Sequence, residues 1–234
     1  MSEGIGKALA NAIKDEAEPI PEKRGRHVFQ NSHRRRIFSI LTANPCMGVV
    51  EIASECGLAQ NTVEWHLDTL IKSGYIVKHS IGRRRVYFPD GLISHDQAAL
   101  FQTINHPGHS AVLREVIENP GLSQLEIAEH LGKRRQPVAN TLEKLESAGI
   151  VSIVTDGIHI RYYPTRMLPE KAEEFYRHSK DFSDYILIKL GREGGKPPII
   201  IKKGLDRLIV EVGYALERFN IDVGINPYKT CLGC

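Results

Sequence analysis

The sequence predicts a mainly α-helical α+β protein made of two copies of one small domain and a C-terminal helical extension. Three observations lead to this fold class. An apolar stripe with the spacing of an amphipathic helix lies within residues 59–74, a hairpin pattern follows over residues 75–88, and the whole succession recurs 75 residues further along the chain. A chain of 234 residues has room for two or three such domains.

The stretch Ala59–Gly74 is the clearest predicted helix. Its apolar residues recur at i, i+4, i+7 and i+8, on one helical face: Val63, Leu67, Leu70 and Ile71. A shorter helical pattern, Val50–Cys56, precedes it and is closed by a glycine, so a turn of about four residues joins two helices. The segments Tyr75–His79 and Arg83–Phe88 then predict a β-hairpin. Together these elements form a winged helix-turn-helix.

An internal repeat shows that this domain is duplicated. Asn44–Pro89 aligns with Asn119–Pro164 without a gap. Shared glycines serve the interhelical turn and the end of the second helix, shared alanines allow close packing, and shared apolar residues form the buried stripe. Asp156-Gly157 is a strong two-residue hairpin signal in the second copy. The matched pairs include Glu51/Glu126, Ile52/Ile127, Ala53/Ala128, Gly57/Gly132, Val63/Val138, Leu67/Leu142, Leu70/Leu145, Gly74/Gly149, Gly82/Gly157 and Tyr87/Tyr162.

These patterns divide the chain into five predicted segments. They are an N-terminal helix and linker (residues 1–25), a first winged-helix domain (26–91), a connecting helix (92–108), a second winged-helix domain (109–168) and a C-terminal helical segment (169–234). Within the last segment we predict one helix over Glu170–Leu190. A second amphipathic helix is predicted from Leu205, Leu208, Ile209, Val212, Leu216 and Phe219. Its stripe packs either inside the monomer or against a second copy of the chain, and we expect a homodimer.

Composition and charge place the protein among ordinary globular proteins. The net charge of +3 argues for no partner by itself, but residues 22–91 carry a surplus of +5. The start of the chain lacks the pattern of a signal peptide, and no run of about 18 apolar residues predicts a membrane span. We therefore expect a cytoplasmic protein with reduced thiols and no membrane partner.

The sequence offers little chemistry for a metal site or for catalysis. Cys231 and Cys234 have the spacing of a zinc or redox pair, yet a tetrahedral site needs two more ligands. Cys46 and Cys56 supply them only if the C-terminus folds back, or two chains share one metal through their termini. An inert tail, a thiol or disulfide sensor and a metal site all stay open, and an inert tail is favoured. No nucleophile elbow, phosphate-binding loop or paired carboxylates are present. We expect no cofactor, no metal and no enzymatic activity.

One stretch carries a family resemblance. Thr62–Ile76, TVEWHLDTLIKSGYI, resembles the recognition helix and strand entry of ArsR- and MarR-like winged-helix regulators of bacteria and archaea. Over roughly residues 30–167 the chain resembles archaeal transcription regulators that carry two winged helices in tandem, a group to which we relate the archaellum regulator EarA. The resemblance implies a sequence-specific regulator of transcription that binds double-stranded DNA. The second helix of each domain would enter the major groove, and the hairpin would lie along the backbone or in the minor groove.

The two implied reading faces are chemically unlike. The first presents Gln60, Asn61, Glu64, Trp65 and Asp68, whereas the second presents Arg134, Arg135, Gln136, Ala139, Asn140 and Glu143. Arginine pairs with guanine and Asn or Gln with adenine, and carboxylates are repelled by phosphate, so the second face has the better chemistry for reading bases. We predict that the second copy reads bases while the first anchors through its wing and its basic entry.

The candidate DNA contacts are therefore spread over both copies. They are Arg34, Arg35, Gln60, Asn61, Arg83, Arg84, Arg85, Lys133, Arg134, Arg135, Gln136 and Asn140. Lys133–Arg135 is alternatively only a solvated turn. The competing functional class is a tandem winged-helix interaction module of a chromosome-partition or basal transcription complex. Glu64, Trp65 and Asp68 favour that class for the first copy, because an acidic face with a tryptophan suits a protein partner better than a duplex.

Overall fold

The computed structural model describes residues 27–214 and 216–232. The first copy begins with a short 3-10 helix, Val28–Gln30, and continues with three helices and a hairpin. These are α1 (Ser32–Ala43), α2 (Val49–Cys56), α3 (Gln60–Lys72), β1 (Ile76–Ile81) and β2 (Arg84–Pro89). The helix predicted within residues 1–25 lies outside the described residues.

A connecting helix, α4 (Ala98–Asn105), leads to the second copy, whose α5 begins at a proline. Its elements are α5 (Pro107–Glu118), α6 (Gln124–His130), α7 (Arg135–Ser147), β3 (Val151–Asp156) and β4 (His159–Pro164). Except for the end of α6, every boundary lies 75 residues after its counterpart. The predicted fold class, α+β and mainly α with two winged helix-turn-helix modules, is confirmed.

The apolar stripe predicted for α3 forms the core of the first copy. Val63, Leu67 and Leu70 are buried, as are their counterparts in α7. Gly57 adopts the left-handed conformation at φ 65°, which ends α2 and opens the interhelical turn, because a side chain would be strained there. The short turns of both hairpins hold their strands in an unbroken antiparallel register.

The C-terminal segment corrects one prediction. Helices α8 (Met167–Glu174) and α9 (Tyr176–Gly194) replace the single predicted helix and part at Phe175. An antiparallel sheet then follows instead of the second amphipathic helix, in the order β5 (Ile199–Lys203), β6 (Arg207–Tyr214), β7 (Glu217–Gly224), before α10 (Pro227–Leu232). Leu208, Val210 and Val212 are buried in strand alternation. The prediction of a helix here was wrong, because Leu208 and Val212 are four residues apart and this spacing fits both a helix and a strand.

The sheet packs directly on the first copy. Strand β7 lies against α1, and the amide of Gly224 donates to the Thr42 hydroxyl at 2.9 Å. A Cβ at Gly224 would lie 2.7 Å from the Thr42 carbonyl oxygen, so only glycine fits this seam. Ser39 also donates its hydroxyl proton to the Asp222 carbonyl at 2.5 Å. The first copy and the C-terminal sheet therefore form one packed body.

The structure leaves the cysteine pair untested. Cys234 lies outside the described residues, as does the side chain of Cys231. Cys46 and Cys56 are buried in the first copy, where a free cysteine packs as a small apolar side chain. Within residues 27–214 and 216–232, no group of three or more His, Cys, Asp or Glu side chains is arranged to hold a metal ion. Over the same residues, no helix has the length and apolar character needed to cross a membrane.

Candidate nucleic-acid interface

The first turn of α7 presents the basic and amide residues predicted to read bases. Helix α7 turns Val138, Thr141, Leu142 and Leu145 inward, so its opposite face is left to solvent. Lys133, Arg134, Arg135 and Gln136 are all exposed, and Arg134 is the N-cap residue. In the described part of the chain the three cations form no ion pair. The helix N-terminus adds a partial positive charge, so this turn is suited to a polyanion.

Two amide side chains on the same face are preorganised. The Gln136 side-chain amide donates to the Asn140 side-chain oxygen at 2.9 Å, one helical turn away. Both residues are exposed, and the hydrogen bond restricts their rotamers without burying them. Amides of this kind make paired hydrogen bonds with adenine in the major groove.

A cleft of about 870 Å³ runs beside this face, between α4, α7 and α8. Its walls include Asn140 and Glu143 from α7, and it brings Lys144 and Lys171 to their side. The prediction from sequence missed both lysines. Lys144 lies one turn after Asn140 on the same helix, so helical spacing could have predicted its position. Lys171 belongs to a different helix, α8, so its position beside the cleft could be found only from the three-dimensional structure. Both side chains line the same cleft as Asn140.

The first wing has two available arginines and one that is held. Arg83 and Arg85 are exposed, whereas Arg84 forms an ion pair with Glu51 on α2. Glu51 also accepts a hydrogen bond from the Gly48 amide at 2.8 Å. Burial raises the pKa of Glu51, but hydrogen bonds and charge from Arg84 outweigh burial and lower it overall. Arg84 therefore fastens the wing to the helix-turn-helix.

Arg34 and Arg35 do not lie where the prediction placed them. Helix α1 already begins at Ser32, so Arg34 falls on the inner side, is only 4% exposed and lies 5.8 Å from the centre of the Trp65 ring. Arg35 donates to the backbone carbonyls of Phe29 at 2.6 Å and Gln30 at 2.9 Å. Their positions do not fit phosphate contact, because their guanidinium groups are occupied inside the protein.

The outer face of α3 is acidic and polar. Gln60, Asn61, Glu64 and Asp68 are exposed, whereas Trp65 is half-buried against Arg34 and His66. Burial raises the pKa of Tyr87 in the adjoining strand, and the charges of Glu64 and Asp68 raise it further. The predicted contacts Gln60 and Asn61 are therefore accessible, but they share their face with two carboxylates.

The second wing has a different surface from the first. Ile153, Val154, Ile158 and Ile160 are exposed there, and Asp156 lies at the turn. Its arginine, Arg161, donates to Glu126 at 2.9 Å and so holds this wing to α6.

Comparisons with known proteins agree with this geometry. Residues 30–77 and 109–152 match the family described as winged helix-turn-helix DNA-binding. The chain carries two winged helix-turn-helix domains. The first match covers the three helices and the first wing residues of its domain, and the second does the same from the third residue of α5 onward. No curated protein matches the chain.

Several solved structures resemble part of the chain. A homodimeric DNA-binding domain of a possible ArsR-family transcriptional regulator from Mycobacterium bovis is 22% identical, with 43% of this chain and 81% of that chain covered and a TM-score of 0.26. The transcriptional regulator SlyA is also 22% identical, at 39% and 76% coverage and a TM-score of 0.27. ScpB from Mycobacterium tuberculosis is 12% identical, at 62% and 96% coverage and a TM-score of 0.26.

Proposed function

We propose that this chain is a sequence-specific transcription regulator that binds double-stranded DNA, acts as a homodimer in the cytoplasm and catalyses no reaction. The exposed start of α7, where Lys133, Arg134 and Arg135 precede the hydrogen-bonded amide pair Gln136–Asn140, is the observation that carries the proposal. The two matches to winged helix-turn-helix DNA-binding domains support it.

The second domain is proposed to supply base recognition. Arg134 and Arg135 stand at the start of α7, where a recognition helix meets base edges, and Gln136 and Asn140 continue the same face. A good paired contact to a base is worth about 1–3 kcal/mol of discrimination. Lys144 and Lys171 lie beside this face and would contact phosphate, which fixes orientation without selecting sequence.

The first domain is proposed to anchor the molecule. Arg83 and Arg85 project from a wing that the Arg84–Glu51 pair holds against α2. Cations at such a position bind phosphate or enter a narrow minor groove. Since Glu64 and Asp68 repel a duplex, α3 contributes less base contact than α7.

The proposal is tested with a duplex selected from a random pool by the full chain, compared with a scrambled duplex of equal length. Arg135→Ala is expected to lower the ratio of specific to random affinity about tenfold or more, because it removes a paired base contact. Arg177→Ala, which changes an exposed arginine on α9, is the matched control and should leave the ratio unchanged. If selection enriches no sequence, or if Arg135→Ala leaves the ratio intact, base reading by α7 is refuted.

A second candidate function is protein interaction through the first domain, as in chromosome-partition or basal transcription complexes. The exposed carboxylates of α3 favour it, because Glu64 and Asp68 suit a basic protein surface. The double variant Glu64→Gln, Asp68→Asn separates the two functions. Stronger binding to all duplexes would place α3 near DNA, whereas unchanged DNA binding would favour a protein partner on this face.

A further inference from the structure

Two groups of exposed aliphatic side chains remain outside the proposed DNA contacts. The wing patch consists of Ile153, Val154, Ile158 and Ile160 on the second hairpin, where Ile153 and Ile160 share one face, Val154 lies on the other, and Ile158 at the tip is 93% exposed. The strand patch consists of Ile199, Ile200 and Ile201 on β5. Clusters of exposed aliphatic residues commonly mark contact sites between proteins.

The wing patch is poorly suited to DNA. The internal repeat aligns the four residues of the wing patch with Lys78, His79, Arg83 and Arg85 of the first wing. Asp156 adds a negative charge beside the turn, and Arg161 is engaged by Glu126. A wing with an exposed carboxylate, and with its one arginine held by a glutamate, is repelled by phosphate, so a protein surface is the better occupant.

The strand patch has complementary properties. Strand β5 is the edge of its sheet, and every one of its residues is exposed. Lys202 and Lys203 follow the isoleucines, are exposed and form no ion pair with any residue in the described ranges. The bulge between Ile200 and Lys202 and the two lysines oppose extension of the backbone ladder. Contact through side chains is therefore favoured over a continuous sheet.

The apolar stripe that first suggested self-association does not form one continuous face. Leu208, Val212 and Phe219 are buried within the sheet, whereas Leu205 and Leu216 are exposed. Any contact between copies must use surfaces that remain exposed.

We propose that the wing patch of one copy docks on the strand patch of a second copy, and that a two-fold axis repeats this contact. Aliphatic side chains meet on both sides, and Asp156 lies near Lys202 and Lys203 of the other chain. The two-fold arrangement doubles the contact area and closes the assembly at two chains. This inference rests on the homodimer of the proposed function, but its test contains no DNA, so its failure is distinguishable from a failure of DNA binding.

Disulfide trapping tests the pairing directly. The full chain with Cys231→Ser and Cys234→Ser serves as background, because Cys46 and Cys56 are buried. Chains with Ile158→Cys are mixed with chains carrying Ile200→Cys under mild oxidation. We expect cross-linked pairs containing one chain of each kind, and little cross-linking in either sample alone. Efficient pairing of Ile158→Cys chains with themselves would overturn the proposed contact.

Charge exchange between chains gives an independent test. Asp156→Lys alone, or Lys202→Glu with Lys203→Glu, is expected to raise the dissociation constant of the dimer about tenfold, since each introduces like charges at the contact. Mixing the two variants should restore association. All three positions are exposed, so the variants are expected to fold, and circular dichroism checks this. A monomeric wild-type chain at micromolar concentration, open-ended oligomers, or no restoration on mixing would each refute the proposal.

Discussion

The two winged helix-turn-helix domains share a core and differ at their surfaces. Ile52, Val63 and Leu67 are buried in the first domain, and their counterparts in the second are the same residues, also buried. The exposed residues of the wings, by contrast, are not shared: Arg83 and Arg85 of the first wing correspond to isoleucines in the second. The duplicated chain has kept what the fold requires, so the exposed positions decide what each domain binds.

The domains also differ in what covers them. Helix α1 is packed against β7 and the short 3-10 helix, whereas the equivalent α5 packs against the connecting helix α4. The first domain is therefore built into the C-terminal sheet. The second domain is free of that seam, and we expect its stability to be set largely by its own core.

The largest expected effect is at the seam. Gly224→Ala places a Cβ 2.7 Å from the Thr42 carbonyl oxygen and 2.9 Å from its carbon, which forces the backbones apart. We expect a loss of about 3 kcal/mol in the free energy of unfolding. Hydrogen exchange should show reduced protection in α1 and β7 while α5 to β4 keep theirs.

Gly213→Ala is the matched control for the seam. It lies in the same sheet, and an added Cβ there meets no atom within 4 Å. Equal loss of protection in both domains after Gly224→Ala would show that the two domains unfold as one unit. The stability of the second domain would then not be set by its own core.

The next largest effect is a dependence of the first domain on pH. Burial between Tyr214 and Phe219 lowers the pKa of His27 to about 4 from 6.5. Below pH 6.5, His27 binds a proton in the unfolded chain, whereas in the folded chain its ring stays neutral until the pH approaches 4. The stability is thus complete above pH 6.5 and falls as the pH drops toward 4, by about 2–3 kcal/mol for this residue.

The variant His27→Gln isolates this contribution. Chemical denaturation between pH 7 and 4.5 should show a shallower loss in His27→Gln than in the wild type. His106 and His109 also have lowered pKa values, so part of the slope will remain. His159→Gln, an exposed histidine on the second wing, is the control. A slope unchanged in His27→Gln would mean that the fold tolerates the charged ring.

The shared core of the two domains was predictable from sequence, whereas parts of the surface were not. Periodicity and the internal repeat predicted the buried stripes, because an amphipathic helix buries only one of its faces. The exposed position predicted for Arg34 was wrong, because α1 begins before this residue. Asn31 caps α1 by accepting a hydrogen bond from the Arg34 amide at 3.2 Å, and an asparagine at this place in the sequence is a signal for a helix start. Lys171 and Asn140 line one cleft although they belong to elements distant in sequence, and local patterns carry no information about such an arrangement.

A wing exchange tests the surface half of the comparison. Arg83→Ile with Arg85→Ile gives the first wing the residues of the second at these positions and removes the two phosphate contacts proposed for it. Affinity should fall equally for specific and random duplexes, and the slope of log affinity against log salt should become shallower by about two. Titration by fluorescence anisotropy at several salt concentrations measures both quantities.

Arg84→Ala is the informative control for the wing exchange. It lies in the same wing, but Glu51 holds its guanidinium, so the salt slope should stay near that of the wild type. If Arg84→Ala reduces the slope as much as the exchange does, the Glu51 pair opens on DNA. The division between anchoring and fastening arginines would then be wrong.

The smallest expected effect concerns how each domain starts its second helix. Ser123 caps α6: its hydroxyl accepts from the Glu126 amide at 3.4 Å, and its own amide donates to the Glu126 carboxylate at 2.7 Å. The first domain has Gly48 at this position and keeps only the second of these bonds, to Glu51. Ser123→Ala should cost about 1 kcal/mol, and Ser123→Gly only a few tenths.

The reverse change should bring no gain. A Cβ at Gly48 would lie 2.7 Å from a Glu51 carboxylate oxygen, so Gly48→Ser has to displace the group that also holds Arg84. We expect Gly48→Ser to be neutral or destabilising in urea denaturation, despite the general preference for serine at this position. A stabilised Gly48→Ser would show that the Glu51–Arg84 pair adapts at little cost, and that the glycine is not required to fasten the first wing.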